Sequence, residues 1–196
     1  MTGAVCAVQR AQLRRRGYRT SAFSYASLRS PLDEIAARLA NAVTACATPC
    51  VHLLAHSLGG LATLNMLALH RDLPVGRVVL LGTPCTSSRA AQQLAASRMG
   101  RALIGKALLQ WQPERGIAAA KAFEIGMIAG TMPLGLGRLV ARLSAPHDGA
   151  VCVDETQLPG LRDHLTVPVS HSGMIVSSRV MRQVCNFLEH GRFARA

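Results

Sequence analysis

A short apolar run that leads into a serine flanked by small residues constrains the fold of this chain most. Residues 50–55 are apolar and pass directly into Ala55-His56-Ser57-Leu58-Gly59-Gly60, after which leucines recur at helical spacing over residues 59–69. This pattern predicts a strand buried on both faces, a sharp turn at Ser57 and then a helix. A serine in such a turn needs small neighbours two positions away on either side, and the sequence has an alanine and a glycine there.

The turn around Ser57 has the features expected of a nucleophile. It would lift the Ser57 hydroxyl clear of the sheet and direct the Leu58 N–H, at the start of the helix, toward a developing oxyanion. The alternative is an ordinary serine cap at a strand-to-helix turn. The apolar strand before the serine and the helix after it favour the nucleophile.

Strands and helices alternate along the rest of the chain. Apolar runs bounded by turn residues predict strands, and apolar residues at three- and four-residue spacing predict helices. The strands fall at residues 18–25, 50–55, 77–81, 123–129 and 164–169, and the helices at 1–16, 30–48, 59–69, two within 88–122, and 177–189. This alternation predicts an α/β protein, a three-layer α/β/α sandwich with a mainly parallel sheet. We expect a single domain over residues 1–196, with residues 86–122 as a small helical cap-like insertion.

Composition excludes several classes of protein. With 196 residues, 49% of them hydrophobic, the chain can bury a sizeable core, which excludes disorder and a disulfide-stapled miniprotein. The six cysteines are scattered without a CxxC pair, which predicts reduced, buried thiols and no metal site. Polar side chains interrupt the uncharged residues 39–70, so no transmembrane helix is expected. Because no export signal is evident either, the sequence favours a cytoplasmic location, although an upstream start would leave room for a signal.

The net charge of +12, from 22 Lys+Arg against 10 Asp+Glu, raises nucleic-acid binding as a function. The arginines are mostly isolated, apart from Arg14-Arg15-Arg16, and aromatic residues make up 4% of the chain. Without a zinc finger, an aromatic RNA-binding motif or a basic tail, we expect no nucleic-acid partner. The charge predicts a solvated surface that favours anionic substrates or interfaces.

Three further segments support a resemblance to a known family. They follow the Ser57 segment in the order Leu81-Gly82-Thr83-Pro84, Asp148-Gly149 and Ser170-His171-Ser172-Gly173. Together the four segments resemble α/β-hydrolases, specifically small lipases and esterases similar to the minimal bacterial lipases, over nearly the whole chain. The resemblance implies a minimal α/β-hydrolase fold and hydrolysis of carboxylic esters by a serine, a histidine and an acid, with no metal or organic cofactor.

Few acidic residues follow Ser57 that could serve a catalytic base, and in this fold the order is serine, acid, histidine. Asp148 is the favoured acid because its Pro-His-Asp-Gly loop follows a predicted strand. Its alternative role is to form an Asp-Gly turn. Asp154 and Glu155 are the nearest competitors. Four further acids lie at a helix end, in the insertion or at a strand: Asp72, Glu114, Glu124 and Asp163.

Among the seven histidines, His171 is the favoured base. It lies in a polar, glycine-containing loop after the last predicted strand, from which it can reach toward Ser57. The others lie in the strand and turn of the serine, at a helix end, beside Asp148, on the last strand or in the C-terminal tail: His52, His56, His70, His147, His164 and His190.

The chain departs from the family at its start. Relatives open with an apolar strand that ends in His-Gly, and the next residue donates the second oxyanion N–H, whereas Met1-Thr2-Gly3-Ala4 resembles the segment just after that motif. We therefore expect an N-terminally truncated fold, with Leu58 as one oxyanion donor and the second donor missing or upstream of Met1. An exposed sheet edge and a loss of order 10²–10³ in turnover would make this chain alone poorly soluble and weakly active.

The leading functional prediction is a carboxylic-ester hydrolase of the esterase or lipase type, in which Ser57 attacks, His171 moves the proton, Asp148 holds His171 and an acyl-enzyme forms. The expected substrate is a small-molecule or lipid-like ester, which suggests lipid metabolism and leaves contact with a lipid interface open. Apolar side chains of the insertion either meet an acyl chain or pack in the core: Leu103, Ile104, Leu108, Leu109 and Trp111. The alternatives are a thioesterase or amidase with the same residues, a non-catalytic remnant, and last a nucleic-acid binder.

Overall fold

The structure, a computed structural model, describes residues 6–26, 30–86, 110–134 and 146–195. Helices and strands both occur in these ranges, and the element types agree with the sequence predictions except at residues 18–25. The elements are α1 (Ala7–Arg15), α2 (Leu32–Thr44), β1 (Val51–His56), α3 (Leu58–Leu69), β2 (Val75–Leu81), α4 (Pro113–Ala122), β3 (Ile125–Gly130), β4 (Asp163–Val167) and α5 (Ser178–His190).

The four described strands form one parallel sheet in the order β1-β2-β3-β4. Side chains of β2 alternate between its two faces: Val78 and Leu80 pack with α2, α3 and α4, whereas Val79 and Leu81 pack with α5. The sheet is therefore the middle layer of a three-layer α/β/α sandwich, which confirms the predicted fold class. Because the described strands are all parallel, their carboxyl ends lie along one edge, where open α/β sheets bind ligands.

Helix α2 carries the apolar stripe that the sequence predicts. The stripe is buried along its whole length: Leu32, Ile35, Ala36, Leu39 and Val43. It packs on α3, the helix that begins directly after Ser57. The Leu32 N–H at the start of α2 has no acceptor inside the helix and donates to the side-chain oxygen of Gln110 at 2.8 Å. A distant residue therefore completes this helix start, which local sequence cannot indicate.

The predicted strand over residues 18–25 is wrong. In the structure these residues form no regular element, and aromatic side chains anchor them instead. The Tyr18 ring meets the His52 ring edge-on at 6.2 Å, and Phe23 stacks on Tyr25 at 5.8 Å between ring centroids. Phe23 also packs against the core. Aromatic residues give this segment strand propensity, but a strand also requires a neighbouring strand for its backbone hydrogen bonds.

The prediction that the strand before Ser57 is buried on both faces is also wrong. All six residues of β1 are partly exposed, whereas all six residues of β3 are buried. Among the described strands, β1 pairs with β2 alone and so lies at the edge of the sheet. Burial depends on what neighbouring elements cover, and the apolar residues of a strand do not specify its neighbours.

The burial of the six cysteines varies. Cys85, Cys152 and Cys185 are buried, whereas Cys46 and Cys50 are exposed. The two exposed thiols lie in the connection between α2 and β1, and connections of this kind run over the protein surface. The prediction of buried thiols is therefore wrong for Cys46 and Cys50.

The predicted cap-like insertion falls largely outside the described residues. Residues 87–109 are not described, and four of its five apolar candidates fall there: Leu103, Ile104, Leu108 and Leu109. Helix α4 begins at Pro113, as the Gln112-Pro113 pair predicts, and packs on α3. The Trp111 indole N–H donates to the Cys85 carbonyl at 2.7 Å and its ring packs in the core, so packing is the role observed for Trp111. Within the described ranges, no helix is long and apolar enough to cross a membrane.

Candidate active site

Ser57 occupies a strained turn between β1 and α3. Its φ of 54° and ψ of −126° lie outside the regions that non-glycine residues ordinarily adopt. Two hydrogen bonds hold the turn: the Ser57 N–H donates to the Leu81 carbonyl at 2.9 Å, and the Thr83 hydroxyl donates to the Ser57 carbonyl at 3.2 Å. The Ser57 side chain makes no capping hydrogen bond to α3, so the alternative role as a helix cap is not observed.

The crowding around this turn lies one residue later than the sequence suggests. A Cβ added at Gly59 would meet Tyr25 Oη at 3.5 Å, which is an ordinary van der Waals contact. A Cβ added at Gly60 would overlap the Thr83 side chain. Gly60 is therefore the residue that lets Thr83 approach and fix Ser57.

Leu58, the predicted oxyanion donor, is the first residue of α3. The N–H groups of a first helical turn have no acceptor within the helix, and the helix dipole adds positive potential there. The Leu58 N–H therefore has the electrostatic environment that an oxyanion donor needs.

Asp148 lies in a loop between β3 and β4 and is buried, with 1% of its side chain exposed. One carboxylate oxygen, Oδ1, accepts hydrogen bonds from the N–H groups of Ala150 at 2.9 Å and Val151 at 2.7 Å. Gly149 adopts a φ of +101°, so Asp148-Gly149 does form a turn. The turn role and an interaction with a base are compatible, because the second oxygen, Oδ2, is directed elsewhere.

His171 donates a hydrogen bond to that second oxygen, Oδ2 of Asp148. Its Nδ1 lies 2.8 Å from Asp148 Oδ2, and its backbone N–H donates to the Asp148 carbonyl at 2.9 Å. Because a carboxylate only accepts, Nδ1 carries the proton and Nε2 retains its lone pair. Within the described residues, no hydrogen bond joins Ser57 to His171. Such bonds are often long in unliganded enzymes and tighten when substrate binds.

Gly82 is a site residue whose role the sequence did not reveal. It follows β2 with a φ of +52°, and a Cβ added there would lie 3.0 Å from Asp148 Oδ2 and 3.1 Å from His171 Nδ1. A glycine at this position lets the backbone pack closely against the Asp148–His171 pair. Its place directly after a buried strand in Leu-Gly-Thr-Pro was the available signal.

The competing acids have other partners or positions. Glu155 is buried, and its carboxylate accepts the Cys152 N–H at 2.8 Å, which holds its own loop together. Asp154 is exposed, and Asp163 pairs with Arg195.

The remaining histidines are likewise engaged elsewhere or exposed. His164 bonds the Thr156 hydroxyl at 2.8 Å, His147 accepts the Gly149 N–H at 3.1 Å, and His52 accepts the Arg77 N–H at 2.9 Å. His70 and His190 are exposed. In the part of the chain that the structure describes, no group of three His, Cys, Asp or Glu side chains could hold a metal ion.

His56 contacts the loop that carries His171. Its Nε2 lies 3.0 Å from the His171 carbonyl oxygen, and the two imidazole rings are 4.5 Å apart between centroids. Burial, followed by repulsion from His171, lowers the pKa of His56 to about 4. His56 is therefore neutral at pH 7.

Known proteins resemble this chain in fold rather than in sequence. No protein-family model and no curated protein matches the chain. Among solved structures, the mature form of the Bacillus licheniformis lipase BlEst2 has a TM-score of 0.78 and 19% identity, over 96% of this chain and 87% of that chain. The propeptide form of the same lipase has a TM-score of 0.80 and 19% identity, over 100% of this chain and 48% of that chain.

Two other enzymes are similar over most of this chain. The phospholipase PlaB from Legionella pneumophila has a TM-score of 0.68 at 13% identity, over 97% of this chain and 55% of that chain. A metagenomic carboxyl esterase, MGS0156, has a TM-score of 0.64 at 17% identity, over 94% of this chain and 69% of that chain. The chain thus spans about half the length of PlaB and of the propeptide form of BlEst2.

These similarities define the class of fold. The parallel sheet, its helices on both faces and the similarity to solved lipases and esterases show that the chain has the α/β-hydrolase fold. The fold implied by the sequence resemblance is thereby confirmed.

Proposed function

We propose that this protein is a serine hydrolase that cleaves carboxylic esters, with Ser57 as nucleophile, His171 as base and Asp148 as the acid that orients the base. The observation that carries the proposal is the buried hydrogen bond between Asp148 Oδ2 and His171 Nδ1, at 2.8 Å, on the same sheet edge as the strained Ser57 turn. The fold shared with a lipase, a phospholipase and a carboxyl esterase supports the same conclusion.

In the acylation half of the reaction, Ser57 Oγ attacks the acyl carbon of the ester while His171 Nε2 accepts the hydroxyl proton. The carbonyl oxygen becomes an oxyanion, and the Leu58 N–H donates to it. Asp148 stabilises the imidazolium formed on His171. When the tetrahedral intermediate collapses, the bond to the alcohol oxygen breaks and His171 returns the proton to the departing alcohol.

In the second half, water attacks the acyl-Ser57 ester. His171 Nε2 accepts a proton from the water and then returns a proton to Ser57 Oγ as the carboxylic acid leaves. The reaction ends with the same protonation state in which it began. A thioester or amide would pass through the same steps, so the choice among these substrates depends on the groups that bind the acyl chain and the leaving group.

Exposed apolar side chains near this edge favour an ester with an apolar acyl group. Met132 and Leu134 follow β3 with exposed fractions of 39% and 55%, and Val176 follows the His171 loop with 59%. The Met132 N–H donates to the Val169 carbonyl at 3.2 Å, so the two segments run side by side. Exposed apolar residues beside a polar site suit an amphiphilic substrate.

The test is hydrolysis of p-nitrophenyl acetate, butyrate and palmitate, together with labelling by a fluorophosphonate probe. We expect ester hydrolysis and labelling in the wild-type protein, with both lost in Ser57→Ala by a factor on the order of 10⁴ or more. Ser172→Ala is the matched control, because Ser172 is exposed and adjacent to His171. A Ser57→Ala protein that hydrolyses esters as fast as wild type would contradict the proposal.

A further inference from the structure

His56 ties the turn that carries Ser57 to the loop that carries His171. It is the last residue of β1, directly before Ser57, and its Nε2 lies 3.0 Å from the backbone carbonyl oxygen of His171. A carbonyl oxygen accepts and does not donate, so His56 Nε2 carries the proton and donates it. This hydrogen bond connects two segments 115 residues apart in the chain.

The hydrogen bond fixes the tautomer of His56 and leaves its other ring nitrogen, Nδ1, without a hydrogen-bond partner among the described residues. With the proton on Nε2, Nδ1 is a bare acceptor, and it is buried without a hydrogen-bond partner in the part of the chain that the structure describes. A buried, unpaired acceptor destabilises the folded protein. Stability of the fold alone therefore does not explain a histidine at position 56, which points to a role in the site.

The other described hydrogen bonds of His171 both lead to Asp148. Its Nδ1–H and its backbone N–H donate to the carboxylate and to the carbonyl of Asp148. These bonds orient the ring with respect to the acid but do not set its distance from the nucleophile. The bond from His56 to the His171 carbonyl is the one described hydrogen bond that reaches His171 from the turn of Ser57.

We propose that His56 is a positioning residue that sets the distance between Ser57 Oγ and His171 Nε2 for proton transfer. The inference rests on the proposed function, because it assigns the geometry of the same reaction. Burial of the His56 side chain lowers its pKa to about 4, so this hydrogen-bond donor stays neutral at pH 7. A neutral donor adds no second positive charge beside the imidazolium that forms on His171.

Two substitutions of His56 test whether the length of the side chain, rather than its polarity alone, is what the site needs. In His56→Gln the amide nitrogen can occupy the place of Nε2 and donate to the His171 carbonyl. In His56→Asn the amide is one methylene shorter and reaches only to the place of Nδ1. Both variants are polar and uncharged, so they differ mainly in whether the hydrogen bond forms. His52→Asn is the matched control on the same strand, because His52 contacts Arg77 and not the site.

The experiment measures kcat and KM for p-nitrophenyl butyrate, the rate of fluorophosphonate labelling, and thermal unfolding for the four proteins. We expect kcat and the labelling rate to fall about 10–100-fold in His56→Asn with KM changed less than about twofold, since misplacement of a catalytic group by about 1 Å costs about this much. His56→Gln should restore kcat to within about threefold of wild type, and His52→Asn should leave kcat within about twofold. A purely structural role would instead lower the amount of active protein in proportion to its unfolded fraction.

Three results would overturn the inference. A folded His56→Asn protein with the kcat of wild type would show that the bond is dispensable, while the proposed function would stand. Equal losses in His56→Gln and His56→Asn would show that the donor is not what matters, and again the proposed function would stand. A wild-type protein without Ser57-dependent labelling or hydrolysis would remove the proposed function and this inference together.

Discussion

Replacing Asp148 with asparagine should trap His171 in the wrong tautomer while leaving its loop folded. Oδ1 accepts the N–H groups of Ala150 and Val151, and Oδ2 accepts His171 Nδ1–H. Asparagine has one oxygen, and the two backbone donors require it, so its amide nitrogen must face His171 Nδ1 and donate to it. Nδ1 then carries a lone pair, Nε2 carries the proton, and His171 can no longer accept the proton of Ser57.

The magnitude follows from this change of tautomer. We expect kcat to fall by about 10⁴, the effect of a wrong tautomer in a serine triad, which corresponds to ~5 kcal/mol of activation free energy. The free energy of unfolding should change by about 1 kcal/mol or less, because each hydrogen bond at position 148 is replaced by another. The assay is hydrolysis of p-nitrophenyl butyrate, with thermal unfolding measured on the same samples.

Asp154→Asn is the matched control for this substitution. Asp154 was, with Glu155, one of the two nearest competitors for the acid in the sequence, and it is exposed in the structure. Its kcat should stay within about twofold of wild type, as for most surface substitutions. An Asp148→Asn protein that keeps more than about a tenth of the wild-type kcat would refute the assignment of Asp148 as the orienting acid.

Two further predictions concern Gly82 and His56. Gly82→Ala should destabilise the fold by ~1–2 kcal/mol through its positive φ, and it should also lower kcat about 10²-fold by crowding Asp148 and His171. The control is Gly17→Ala, which has a φ of +85° and nothing within 4 Å: it should show the same stability loss in chemical denaturation but keep the wild-type kcat. A loss of kcat in both variants would contradict the crowding argument. Acidification should destabilise the fold, because the pKa of His56 is about 4 in the folded protein against 6.5 for a free histidine: stability present above pH 6.5 is lost as the pH falls toward 4, by up to ~3 kcal/mol. Urea unfolding at about pH 7.5 and about pH 4.5 should therefore show a smaller acid loss in His56→Gln than in wild type, whereas equal losses would assign the effect to other groups.

The local elements of this fold could be predicted because their residues specify them directly. The stripe of α2 is buried as its spacing predicts, and Pro113 begins α4 as its fixed φ favours. The turn at Ser57 lies between a strand and a helix as predicted. These features depend on neighbours within a few residues, so a single sequence contains them.

Features that depend on distant neighbours were missed or misjudged. Residues 18–25 have strand propensity but form no strand, and β1 is apolar but partly exposed along its whole length. The crowded glycine of the Ser57 turn is Gly60, because Thr83 approaches it from another segment. In each case the outcome depends on an element that is far away in the sequence.

The sequence by itself determined the α/β alternation, the strand-to-helix turn around Ser57 and the residue types from which an acid and a base could be chosen. The tertiary structure decided which of these residues meet: it brings Asp148 and His171 to 2.8 Å, seats the pair against Gly82, and joins His56 to the His171 carbonyl. The physical reason is that helix and strand periods are local properties of the chain. Hydrogen bonds between segments 23 and 115 residues apart exist only once the parallel sheet has brought the ends of its strands to one edge.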